Sequence, residues 1–158
     1  MKNFFMTLIP IVIMIIFGGY HASNIEKERV NDLKKARNAE RVNKELKDLR
    51  NALEEYYKLT KTYPELTREG AKDNLSILDF VNEKGEKISF AQIYGKNEIF
   101  KTPAGEETEE SNEISDVQNF SETSLKGGWS YNFKDRTGEI RLNLPTDAFS
   151  QGIVWSEH

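Results

Sequence analysis

From Phe4 to Phe17 the chain reads FFMTLIPIVIMIIF, fourteen residues without a charge, and from residue 24 to about 60 it contains neither Gly nor Pro. A greasy segment feeding a long stretch free of helix breakers leaves few options for the fold: an apolar anchor, a rod, and whatever the remaining residues can hang on the rod. Gly18, Gly19 and Tyr20 extend the uncharged run to about the 17 residues at the lower limit of a spanning helix. A secretory signal peptide is the rival, because Lys2 supplies a minimal basic flank and the apolar core has the right length. It lacks the small-x-small pattern at its end, since the candidate cleavage sites pair Tyr20 with Ala22 or His21 with Ser23. A buried soluble helix is a third option. Retention in the membrane is the expectation, with Thr7, Leu8, Ile9, Pro10, Ile11, Val12, Ile13, Ile15 and Ile16 as the membrane and assembly positions.

Orientation is contested within the sequence itself. Lys2 alone precedes the span, whereas Lys27, Arg29, Lys34, Lys35 and Arg37 follow it. Counting positive charges would leave the following domain in the cytoplasm, although long domains translocate largely regardless of charge.

Between residues 42 and 56 the apolar positions Val42, Leu46, Leu49, Leu53 and Tyr56 alternate steps of four and three, which is one helical stripe. Glu40 with Lys44 and Glu54 with Lys58 add favourable i,i+4 pairs. At about 1.5 Å per residue this helix exceeds roughly 50 Å, too long for a domain of fewer than a hundred residues to cover. Its first half carries a sparser stripe of Ile25, Val30, Leu33, Ala36 and Ala39, suited to a stalk that leaves a bilayer or packs beside copies of itself. A plain coiled-coil dimer is also open. The helix should end before Pro64.

Beyond the helix, Asp73 to Val81 reads as a short helix or turn, with Leu75, Leu78 and Phe80 as the residues that can face inward and Gly85 ending the segment. Ile88 to Ile93 and Glu98 to Lys101 read as short strands about a Tyr94-Gly95-Lys96-Asn97 turn. Residues 102–121 hold Pro103, Gly105 and six acids between Glu106 and Asp116, and read as a mobile acidic loop that interrupts the sheet. The clearest β signal follows: Trp129, Tyr131 and Phe133 alternate with polar residues, as do Ile140, Leu142 and Leu144, and Gly138 suits the intervening turn. The domain core is therefore expected to hold Leu46, Leu49, Leu53, Tyr56, Trp129, Tyr131, Phe133, Ile140 and Leu142, with Phe149, Val154 and Trp155 from the tail added to it. These spans define an α+β chain with an anchor over 1–23, a long helix over 24–62 packed on a small antiparallel β-sheet, and a small domain over 63–158.

Composition narrows the chemistry. Residues 1–60 carry 11 Lys and Arg against 8 Asp and Glu, a balance of +3, and residues 61–158 carry a balance of −7. No basic stripe faces a phosphate backbone, so nucleic acid is not an expected partner. The chain has no cysteine and only two histidines, His21 and His158, which removes thiolate chemistry, His-based triads and paired-His zinc sites. No phosphate-binding glycine loop is present. An enzyme is not expected, nor a cofactor. Calcium remains an open option at the acidic stretch 106–116 with Asp135, whose oxygen-rich side chains would suit it.

Taken together, Thr7-Leu8-Ile9 and the aliphatic run after it, the helix end Leu53, Tyr56, Tyr57, Lys58 with Tyr63-Pro64, and the hairpin Gly127-Gly128-Trp129-Ser130-Tyr131-Asn132 with Thr137-Gly138-Glu139-Ile140 resemble the type IV pilin and type II secretion pseudopilin superfamily. The resemblance implies a pilin-like fold, a single-pass protein of the bacterial inner membrane with its domain extracytoplasmic, and a role as structural or assembly subunit. Its partners would be the membrane, other pilin or pseudopilin subunits and the secretion or assembly machinery. Two positions depart from the family pattern: Phe5 stands where its leader peptidase takes a small residue, and Pro10 where the mature chain carries Glu. Both departures imply a minor or atypical subunit. The alternative is a secreted or membrane-tethered binding module without catalysis.

Overall fold

Helix α1 spans Lys2–Thr60 and is the frame on which everything else is built. The computed structural model describes the backbone of residues 2–158 and the side chains of 24–155, 157 and 158. The nine membrane positions named between Thr7 and Ile16 lie outside the residues whose side chains are described. Among the described residues no helix is long and apolar enough to cross a membrane. On the exposed surface of α1, Lys44 pairs with Asp48 one turn on, at 2.7 Å. The helix stops where its last carbonyls are capped. Lys61 takes a left-handed backbone (φ 59°) and donates its N–H to the Tyr57 carbonyl at 2.8 Å, while the Thr60 hydroxyl bonds the Tyr56 carbonyl, and Pro64 follows shortly after.

Val42, Leu46, Leu49, Leu53 and Tyr56 are all buried. Against them pack a 3₁₀ turn Leu75–Leu78, a two-stranded ribbon of β1 (Phe80–Val81) and β2 (Lys87–Ile88), and a short helix α2 (Phe90–Tyr94). Tyr56 meets Phe90 edge-on, with ring centroids 5.6 Å apart, and its hydroxyl donates to the Leu78 carbonyl. A second sheet joins β3 (Ile114–Asp116), β4 (Trp129–Tyr131) and β5 (Ile140–Leu142) in the order β3-β4-β5. The β4–β5 hairpin pairs Trp129 with Leu142 and Tyr131 with Ile140, antiparallel as its alternation predicts.

Four expectations need correction. The larger sheet is mixed rather than antiparallel, because β3 runs parallel to β4 with Ile114 opposite Trp129. The strand expected over Ile88 to Ile93 is only β2 at its start; the rest is α2, since Phe90 and Tyr94 stand one helical turn apart on a buried face and Gly95 (φ 77°) caps the C-terminus. Glu98 to Lys101 forms no strand, and Ile99 and Phe100 are buried from irregular backbone. The acidic segment 102–121 also does more than interrupt the sheet: it contributes β3 and a bridge between Thr102 and Ser111.

Trp129 and Tyr131 bury their rings and satisfy their polar tips, as such side chains usually do inside a core, whereas the buried Trp155 Nε1 has no hydrogen-bond partner among the described residues. Trp129 Nε1 donates to the Phe100 carbonyl at 2.9 Å and the Tyr131 hydroxyl to the Pro64 carbonyl at 3.0 Å. Leu46, Leu49, Leu53, Tyr56, Trp129, Tyr131, Ile140 and Leu142 are almost inaccessible, whereas Phe133 is half-buried at the core's edge. Ser130 and Asn132, which alternation places on a solvent face, are buried too. In the tail, Phe149 and Trp155 are buried edge-to-face, and the 3₁₀ turn Trp155–Glu157 packs on β5.

Gly128 makes the parallel pairing possible. Its φ of 77° is left-handed, and a methyl group on its Cα would overlap the Glu113 carbonyl, which accepts the Trp129 N–H at 2.8 Å. Gly128→Ala is expected to lower stability by about 2 kcal/mol or more, from the backbone conformation and the displaced β3 together. A thermal or denaturant midpoint equal to the parent's would show that β3 is not docked through this contact.

Candidate assembly surface

The candidate surface lies on α1 between residues 24 and 38, below the point where the domain begins to cover the helix. Ile25, Val30 and Leu33 are 51, 61 and 56% exposed, and burial begins at Ala39. At about 100° per residue, Ile25, Val30, Leu33 and Ala36 share an arc about 140° wide, centred roughly 160° around the helix from the arc of Val42 to Tyr56. The apolar side of the stalk thus faces away from the side that carries the domain. Of the exposed charged residues here, Glu26 and Arg29 fall within that arc and Lys27, Glu28 and Asp32 outside it, in alternating sign along the chain, so the stalk carries no one strong charge.

The domain's lower edge is fastened to the stalk by polar contacts. Lys35 reaches the Glu106 carboxylate and, at 2.8 Å, the Ser150 hydroxyl. This hydrogen bond holds the Glu106 carboxyl below the usual glutamate range and raises the Lys35 ammonium above its own. Nearly three turns further along, buried Glu45 pairs with Lys96 and accepts from the Tyr94 hydroxyl at 3.3 Å, while Arg41, between the two, lies over the Phe100 ring at 4.6 Å. Burial, and then the Glu45 charge, push the Tyr94 phenol far above the ordinary range. Higher still, Arg50 donates to the Ile140 carbonyl at 2.9 Å and to the His158 carbonyl. Sequence reasoning missed these fastenings. Glu45 was their available signal: a carboxylate on the border of an apolar arc is rarely buried without a cation.

Among the described residues no group of three or more His, Cys, Asp or Glu side chains is placed to hold a metal ion. The acids considered for calcium are dispersed instead. Glu106 binds Lys35, Glu113 binds Lys72, Asp116 accepts the Phe133 N–H, and Asp135 accepts from Gln118 and Asn132. The cleft of about 360 Å³ beside Arg41, Glu45, Lys96 and Glu110 mixes both signs of charge without converging on one point.

The Lys35 to Glu106 contact has a pH signature. A carboxyl with a depressed folded pKa contributes stability above its unfolded value and loses it as pH falls through the folded one. In a carboxyl-detected NMR titration Glu106 is expected to protonate below the usual glutamate range, and Lys35→Ala to return it to that range; an unchanged Glu106 midpoint in the variant would show that the contact does not persist in solution. Compared with protein-family models, with curated proteins and with solved structures, the chain has no match.

Proposed function

We propose that this chain is a non-catalytic, membrane-anchored assembly subunit of a pilus or pseudopilus. In this reading the run from Phe4 to Phe17 enters the bacterial inner membrane, residues 24–38 pack against neighbouring helices, and the α+β domain stands on the extracytoplasmic side. The observation that carries it is the pair of apolar arcs on one helix, one spent on the domain and the other, Ile25, Val30 and Leu33, left open on the opposite side. A side chain of this kind gains roughly 1.5–3 kcal/mol on full burial, and these three stand about half exposed. Packing at the stalk is therefore modest for a single pair of helices. Confinement of neighbouring anchors in one bilayer raises their effective concentration and makes a modest interface sufficient. Phe5 and Pro10, at positions where the pilin family carries a small residue and Glu, support a minor or atypical place in such an assembly.

The absence of cysteine makes the test direct. Val30→Cys and Asn31→Cys stand at nearly the same height on α1 but point about 100° apart, position 31 towards the side that carries the domain. In membranes containing the full chain, Val30→Cys is expected to form disulfide-linked species with itself or a neighbouring subunit, and Asn31→Cys to form few. Leu8→Asp is expected to abolish both the cross-link and co-purification with filament or secretion components. Equal cross-linking at 30 and 31, or full retention of partners by Leu8→Asp, would refute the assembly reading.

A further inference from the structure

At the C-terminal end of α1 the helix cap and the β4–β5 turn enclose a cleft of about 400 Å³, lined by Tyr57, Lys61, Thr62, Tyr63, Phe133 and Arg136. Tyr57 and Tyr63 stack with centroids 4.6 Å apart and planes 22° from parallel. Tyr63 also lies against Gly138, where any β-carbon would overlap its ring, so the platform is set in place by the hairpin. Tyr57 remains 41% exposed. Its flat surface is not consumed by the core.

Two cations border these rings. Lys61 and Arg136 have left-handed backbones (φ 59° and 57°), a conformation that Gly or Asn adopts at lower cost. Neither side chain makes an ion pair among the described residues. No carboxylate lines the cleft; Glu54, whose charge reaches Tyr63, lines the neighbouring one with Gly138.

We propose that this cleft binds a hydroxylated ring bearing a carboxylate, the chemistry of a uronic acid or similar acidic saccharide unit. The tyrosine platform accepts the C–H face of the ring, while the hydroxyls of Tyr57, Tyr63 and Thr62 offer partners to those of the ligand. The planar Arg136 guanidinium suits a carboxylate, and Lys61 adds a second positive charge. A neutral sugar leaves both cations unpaired, and a bare aromatic acid leaves the hydroxyls unused. The volume lies near the small end of ligand sites, room for one or two rings. This inference does not depend on the assembly reading, because the cleft is built entirely from the domain and the helix end.

The test titrates the detergent-solubilised full chain with D-glucuronate, D-glucose and benzoate, following tyrosine fluorescence and amide chemical shifts. Saturable glucuronate binding is expected, with both other probes weaker by roughly tenfold or more, a difference of about 1.4 kcal/mol. Lys61→Asn and Arg136→Asn preserve the backbone conformation and should each weaken glucuronate binding; Tyr57→Ala should abolish it with an unchanged melting midpoint. Absence of saturation, equal binding of glucose or benzoate, or variants that bind like the parent would overturn the proposal. So would variants that alter self-association by sedimentation while glucuronate does not bind, which would make the cleft a contact between copies.

Discussion

Strands of two and three residues cannot hold one another, and a sheet this small is marginal in water without something apolar to lie on. Here that support is the arc Val42 to Tyr56 of α1. The ribbon, α2 and β5 all reach this one helix, and the aromatics between them seal the layer with hydrogen bonds to backbone carbonyls at Leu78, Phe100 and Pro64. The domain is less a sheet with a helix on it than a set of short segments collected on a helix. Polar fastenings at Lys35, Glu45 and Arg50, spaced along α1, then fix its position along the rod.

What was legible in the sequence was what repeats. The stripe on α1, the alternation from Trp129 to Leu144 and the turn at Gly138 are periodic, so the helix and hairpin appear in the structure where periodicity places them. The parts that were not legible lack a period. β3 has a single apolar residue, Ile114, and owes its place to a partner that only tertiary structure supplies; the double glycine before Trp129 was its faint trace, since backbone that tight implies another chain segment alongside. α2 was hidden by length. Five residues offer one turn of helical spacing, and a short apolar run reads equally well as a strand. Ser130 and Asn132 break the pattern because alternation assigns one face to solvent, whereas both residues are buried here.

For the candidate surface the balance is different. The stalk residues Ile25, Val30 and Leu33 were identifiable from spacing, but their relation to the domain was not. Only with the buried arc known does it emerge that the open arc looks the other way. The aromatic cleft was invisible for a further reason: Tyr57, Tyr63, Phe133 and Arg136 come from a helix end and a hairpin turn, and their meeting depends on how β4 and β5 lie across the end of α1.

An unbroken α1 from stalk to cap has one mechanical consequence. With no glycine or proline between residues 24 and 60, there is no hinge at which the domain can turn independently of its stem. A stem that slips by a single residue against its neighbour must turn by about 100° to present the same face, and the domain turns with it. In the proposed assembly the packing register of three modest apolar side chains near the base would therefore select the compass bearing of the tyrosine cleft at the far end, much as the seating of a key sets the direction of its bow.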